Sequence, residues 1–348
     1  MALYCAQEVN ALAKHTFNSL LRRVAQAGFK ADFIRGALLP DWWDSDCEKD
    51  ASLLPDLEIR IARFLGTTIE AVREPSAELA VPAYPGAQLR RVKSLNRDRI
   101  KAAIHAGLRI AGAVVRSLRD PAPAIRLPPA DPLEWRREIS ASTKRFDLSS
   151  AVADLWARGI PVVHAEFLPP PRFQGLACVV EGRPVILLGH GNDEPVRLAL
   201  YTIHEVGHIV RGDCGPEEPV VDEDESELHT DTSEMERLAE EFAWAWLTGG
   251  NSMRDVSGED PREWANLAWA DEKARSIDAG VSIWAWANRT RDFQTGELAL
   301  KALYRAQGGQ RILRDAFDRY VDAESASETD RALLSCVFLD PWRDAASP

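Results

Sequence analysis

Apolar residues recur every three or four positions over most of the chain, which predicts a largely helical protein. Helices are predicted over 9–27, 31–38, 55–65, 98–118, 135–143, 148–159, 196–213, 233–247, 261–277, 281–290, 297–306 and 312–321, and the apolar stretch 331–339 fits a helix or a strand. Period-two alternation is found in residues 176–180 and 184–188, which flank the turn residues 181–183, and a further strand is predicted at 160–167. The pattern predicts a mostly helical α+β fold with a small β-hairpin sheet.

Two stretches rich in proline divide the pattern into regions. They cover residues 75–88 and 120–132, and the second holds five prolines. We therefore expect four regions, which are a helical domain (1–77), a linker and basic helix (78–128), a central domain (129–250) and a C-terminal helical region (251–348).

The central domain contains His204, Glu205 and His208 in an H-E-x-x-H motif, within the predicted helix 196–213. Histidines four positions apart lie on one face of a helix, so that both imidazoles can bind one metal ion. The glutamate beside the first histidine can take a proton from a metal-bound water molecule. The motif therefore predicts a zinc site, with a structural His/Glu cluster as the alternative.

A zinc site of this kind needs a third protein ligand. A metzincin pattern is absent, because Arg211 and Cys214 stand where it requires glycine and histidine. Glu236 and Glu240, one turn apart in the predicted helix 233–247, are better candidates. We expect Glu236 to bind zinc and Glu240 to accept a hydrogen bond from a ligand histidine. Ala239, Phe242 and Ala243 lie on or near the same side of this helix, and the small residues there allow it to approach the motif helix closely.

The acidic stretch 215–231 offers two rival third ligands, His229 and Asp231. We rank both below Glu236, because this stretch is predicted to be a mobile, solvated loop at the rim of the active-site cleft, and ligands on it would require the loop to be ordered.

One edge of the hairpin sheet is expected to align an extended peptide by strand addition.

The motif H-E-V-G-H followed by E-R-L-A-E-E-F-A-W-A-W-L resembles the ImmA/IrrE metallopeptidase family over roughly residues 145–250. The resemblance implies a zincin-like core with His204, His208 and Glu236 as Zn²⁺ ligands and Glu205 as the general base. Glu240 departs from the family, which has Asn or Asp there, and residues 246–249 depart from its L-L-M-P ending. The resemblance further implies a protein substrate, such as a helix-turn-helix repressor or antitoxin, in stress response or mobile-element control.

Three side chains are candidates for stabilising the oxyanion of peptide hydrolysis: Tyr201, His190 and His229. Two other functions keep the same fold. One is a DNA-binding transcription regulator that senses a ligand without cleaving anything, and the other is the toxin of a toxin–antitoxin pair.

Charge is distributed unevenly along the chain and bears on the question of DNA binding. Residues 1–128 hold 19 Lys and Arg against 14 Asp and Glu, while the whole chain has a net charge of −12. Residues 61–72 weakly resemble the last two helices of an XRE-type helix-turn-helix domain, but the acidic run 41–50 would repel phosphate. DNA binding by residues 1–128 and binding of a protein partner both remain open.

The expected location is the cytoplasm, without membrane contact. The 5 cysteines are scattered and form no C-x-x-C pair, as in a reducing compartment. The first residues do not resemble a signal peptide, and no apolar stretch reaches the length of about 18 residues expected of a transmembrane helix.

Overall fold

The computed structural model describes residues 15–82, 84, 88–90, 100–189, 191–215, 218–222, 234–252 and 260–337. Its α-helices are α1 (Phe17–Gln26), α2 (Ala31–Ala37), α3 (Leu54–Leu65), α4 (Ile69–Arg73), α5 (Ile100–Arg116), α6 (Pro132–Ile139), α7 (Leu148–Ala157), α8 (Pro195–Arg211), α9 (Glu234–Thr248), α10 (Pro261–Arg275), α11 (Ala279–Thr290), α12 (Phe293–Ala302), α13 (Gly309–Tyr320) and α14 (Glu328–Leu334). The strands are β1 (Gln88–Arg90), β2 (Val162–His164), β3 (Gly175–Val180), β4 (Arg183–Leu188) and β5 (Val220–Asp222). The mostly helical α+β fold is confirmed.

The strands form one mixed sheet in the order β1-β5-β3-β4-β2. The predicted hairpin is confirmed, since β3 and β4 pair antiparallel from Gly175–Leu188 to Val180–Arg183. Its turn has left-handed backbone at Glu181 (φ 52°) and Gly182 (φ 76°), which matches the right-handed twist of the strands. β2 pairs parallel with β4, and β5 pairs antiparallel with β3 and parallel with β1.

Two expectations about loops are wrong. Residues 220–222, expected in a mobile solvated loop, form β5, and Val220 and Val221 are fully buried. Residues 88–90, expected at the end of a linker and the start of a basic helix, form β1. The acidic residues around the two valines favoured a loop in the sequence pattern, whereas the β-branched side chains of the valines are typical of a strand and pack in the core.

Helices α5 and α8 cover opposite faces of the sheet. An added Cβ at Gly175 would lie 2.0 Å from Oε1 of Glu205 on α8. The side chain of the next residue, Leu176, lies 3.6 Å from the position of a Cβ added at Gly107 on α5. Because successive strand residues point to opposite faces, these contacts place the sheet between the two helices. α9 packs against the outer side of α8, and α11 also contacts α8.

The N-terminal helices pack onto α5 around His105, which is 2% exposed. Its Nε2 lies 2.6 Å from the carbonyl oxygen of Phe64, and its Nδ1 lies 2.6 Å from the hydroxyl of Tyr84. Because a carbonyl only accepts, Nε2 carries the proton and Tyr84 donates to Nδ1. Burial lowers the pKa of His105 to about 4, so this histidine is neutral and structural.

Buried apolar side chains form one connected cluster from Phe17 to Val337. Among the helices that the structure describes, none combines the length and the hydropathy needed to cross a bilayer.

Candidate metal centre

Helix α8 presents the H-E-x-x-H motif from a rigid, buried position. It begins at Pro195, a residue favoured in the first turn because its missing N–H has no helical partner there. It ends before Gly212, whose left-handed backbone (φ 71°) stops the helix. His204, Glu205 and His208 are all buried, so their geometry is fixed by packing.

Helix α9 approaches α8 closely because both helices carry small residues at the crossing. A Cβ added to Gly207 would lie 3.1 Å from Cα and 3.3 Å from Cβ of Ala239, so glycine allows this separation and larger residues oppose it. The predicted close approach is confirmed. It brings Glu236, one turn before Ala239, to the two histidines.

Three side chains converge between the helices. The Nε2 atoms of His204 and His208 lie 3.2 Å apart. One carboxylate oxygen of Glu236, Oε2, lies 3.4 Å from Nε2 of His204. The other, Oε1, lies 3.5 Å from Nε2 of His208. The structure thus brings together His204, His208 and Glu236, the three side chains that the sequence predicts as ligands, and this buried group can hold a metal ion.

The spacing of these atoms matches the size of a tetrahedral zinc site. With zinc–nitrogen and zinc–oxygen bonds of about 2.0–2.2 Å, neighbouring ligand atoms of a tetrahedron lie roughly 3.4 Å apart. The two imidazole nitrogens lie 3.2 Å apart, and each lies 3.4 or 3.5 Å from one of the two carboxylate oxygens of Glu236. A buried carboxylate is costly unless a positive charge compensates it, and a cation among these three groups would supply that charge. The residues therefore fit a metal ion in both geometry and chemistry.

Asp213 orients one of the histidines. Its Oδ2 lies 2.9 Å from Nδ1 of His208, so Nδ1 donates and Nε2 keeps its lone pair for the metal site. Arg211 donates to Asp213 and, at 2.7 Å, to the carbonyl oxygen of Met235. The end of α8 is thereby tied to the start of α9, next to Glu236.

Replacing Asp213 with asparagine is expected to weaken metal binding by about 10–100-fold, because the histidine loses its charged hydrogen-bond partner. Competition titration with a chromophoric zinc chelator measures the change. The control Asp32→Asn removes a carboxylate that is 86% exposed and should leave the affinity unchanged. Equal affinities of Asp213→Asn and the wild type would show that Asp213 does not support the site.

Glu205 lies between α8 and the sheet and is 1% exposed. Its carboxylate occupies the space beside Gly175 that a side chain would fill. Burial and then the charge of Glu205 raise the pKa of Cys214 to about 12, and burial raises the pKa of Cys178 as well. In the absence of a metal ion, the protein environment thus favours the protonated form of both thiols.

Gly175→Ala is expected to lower any activity that depends on Glu205 by about a hundredfold, because a displacement of about 1 Å at a reacting group costs that much. The added Cβ would lie 2.0 Å from Oε1 and 2.8 Å from Cδ of Glu205, whose burial leaves little room to move aside. Metal affinity should stay within a few-fold of the wild type. Gly191→Ala, where an added Cβ meets no atom within 4 Å, is the matched control. If both variants keep full activity, Glu205 has no positional role.

Of the remaining predicted site residues, two are described outside the group of His204, His208 and Glu236, and three lie outside the described residues. Tyr201 is buried and hydrogen-bonds Arg197, one turn towards the start of α8. Glu240 is exposed on α9, and its hydrogen bond to a ligand histidine stays a prediction. His190, His229 and Asp231 lie outside the described residues.

Sequence reasoning missed two supporting residues, Asp213 and Gly175. Asp213 could have been found because it is a polar residue directly after the glycine that ends the motif helix, where the chain turns back towards the ligands. A glycine at the start of a predicted strand was a signal for the second, since such glycines mark close approach of another group.

No protein-family model, curated protein or solved structure matches the chain.

Proposed function

We propose that this protein is a zinc-dependent endopeptidase with a zincin-like core and a regulatory role. The observation that carries the proposal is the convergence of His204, His208 and Glu236, which are all buried and each offer a ligand atom within 4.8 Å of the other two. The motif helix packed on a hairpin sheet supports the zincin-like core. The sequence resemblance to ImmA/IrrE metallopeptidases supports the same class.

Each residue has a distinct task in this proposal. His204, His208 and Glu236 would hold the ion, which supplies polarisation of a peptide carbonyl group and activation of water. The carboxylate of Glu205 takes the proton from the attacking water and passes it to the leaving amine. Asp213 keeps the imidazole of His208 in the tautomer that binds metal through Nε2.

The proposed substrate is a protein rather than a small molecule. By the sequence resemblance, a helix-turn-helix repressor or an antitoxin is the first candidate. A protein encoded beside this gene with such a domain is therefore the first substrate to test.

The experiment compares zinc-loaded protein, metal-free protein and metal-free protein with zinc restored. Each is incubated with any helix-turn-helix protein that is encoded beside this gene and, in parallel, with a cell extract, and new amino termini are identified by mass spectrometry. Cleavage that disappears with the metal and returns with zinc supports the proposal. Zinc binding without any new amino terminus in either mixture contradicts the peptidase function and favours a non-proteolytic sensor.

A further inference from the structure

The backbone next to Glu205 is paired with a segment of the same chain. β5 runs antiparallel to β3, and its register joins Gly175 to Asp222 and Ala177 to Val220. Gly175 is the β3 residue whose added Cβ would meet the Glu205 carboxylate at 2.0 Å. Neighbouring strands lie about 4.8 Å apart, so the backbone of β5 is one strand spacing from the residue that contacts Glu205.

This position matters for any extended peptide that is to reach Glu205. Extended peptides are commonly recognised by addition to the edge of a sheet, where main-chain hydrogen bonds align them. Neither hairpin strand is an edge of the described sheet, because β3 lies between β5 and β4, and β4 lies between β3 and β2. On the side of β3 away from β4, the place of a peptide strand is taken by β5.

The side chains of β5 make this pairing part of the core. Val220 and Val221 are fully buried, so separating β5 from β3 uncovers two branched apolar side chains. The ligand side chains are enclosed as well, with His204 7% and Glu236 2% exposed. In the described arrangement, an extended peptide therefore cannot pair with β3 on the side that β5 occupies.

We propose that β5 is an internal strand that blocks the substrate position, and that it must leave β3 before an extended peptide can bind beside Glu205. This inference rests on the proposed peptidase function and concerns the regulation of the same site. The apparent affinity for an extended peptide is reduced by the fraction of molecules in which β5 has separated. A partner that supplies its own strand can replace the main-chain hydrogen bonds that β3 loses when β5 separates. A small ligand of the metal can bind without separating β5 from β3.

A reversible cross-link between the two strands tests the proposal. Ala177→Cys with Val220→Cys joins a directly opposed pair of β3 and β5, whose Cα separation of about 4.5–5.5 Å suits a disulfide. The matched control is Ala177→Cys with Ile186→Cys, which joins the same β3 residue to β4 and leaves β5 free. Both pairs are made in a background with Cys178→Ala and Cys214→Ala, because these two native thiols are buried close to Glu205.

Two probes of different length are then titrated into the cobalt(II)-loaded proteins, with the visible spectrum of cobalt as the readout. Acetohydroxamate is small, and a tetrapeptide hydroxamate carries an extended chain. We expect oxidation of the 177–220 pair to weaken binding of the tetrapeptide hydroxamate at least tenfold and to leave acetohydroxamate unchanged. The oxidised 177–186 control should bind both probes as its reduced form does.

Equal binding of the tetrapeptide hydroxamate by the oxidised and reduced 177–220 protein overturns the inference. Failure of cobalt or zinc to bind in any form instead contradicts the proposed function, so the two failures are distinguishable. Hydrogen exchange on the wild-type protein gives a second measurement that needs no cross-link. The tetrapeptide hydroxamate should reduce protection of the amides of residues 220–222, and unchanged protection there with the probe bound also overturns the inference.

Discussion

Glu205→Gln is expected to lower the rate of peptide cleavage by about a thousandfold while leaving the zinc content unchanged. The amide has the size of the carboxylate but cannot accept the proton of the attacking water, and general acid–base catalysis contributes about 10²–10⁴. The size match is important here, because Glu205 is 1% exposed and lies against the backbone of Gly175. Single-turnover cleavage and zinc analysis of the same sample separate the loss of catalysis from the loss of metal.

Glu241→Gln is the control for this variant. Glu241 lies on α9 with its side chain 59% exposed, so the same chemical change occurs outside the site. Full cleavage by Glu241→Gln and residual cleavage by Glu205→Gln are expected. If Glu205→Gln cleaves at the wild-type rate, the assignment of the general base is wrong.

Glu236→Ala is expected to lower zinc affinity by at least about a thousandfold. Structural zinc sites bind with about 10–16 kcal/mol, so losing one of three protein ligands removes on the order of 4 kcal/mol, which is a factor of about 10³. The variant also has a thermal signature. Zinc at a hundred times its dissociation constant stabilises the wild type by about 2.7 kcal/mol, whereas the same concentration should leave the variant nearly unaffected.

A second glutamate on the same helix provides the control for this variant. Glu234→Ala, at the exposed start of α9, is the control and should keep zinc-dependent stabilisation. Zinc stabilising Glu236→Ala as strongly as the wild type would remove Glu236 from the site.

The sequence predicted the helical part of the fold well because helix periodicity is a strong local signal. Spacing alone put His204 and His208 on one face, and the small residues beside Glu236 indicated the close approach that the contact of Gly207 with Ala239 confirms. The convergence of His204, His208 and Glu236 could therefore be predicted from local patterns on two helices.

The pairing of β5 could not be predicted in the same way. Three residues carry no measurable period, and the charged residues around Val220 and Val221 suggested a solvated loop. β5 also pairs with β1, a strand far away in the chain, and such distant pairing leaves no local trace. The environment of Glu205 is likewise a product of tertiary packing, because Gly175 comes from the sheet and not from the motif helix.

The most direct test of the central claim is the zinc K-edge X-ray absorption spectrum of the purified protein, measured together with its zinc content. We expect one zinc ion per chain, with nitrogen and oxygen neighbours at about 2.0–2.2 Å and no sulfur neighbour near 2.3 Å. A chain that binds no zinc at micromolar concentration, or a spectrum with a sulfur neighbour from a cysteine such as Cys214, would contradict a site made by His204, His208 and Glu236.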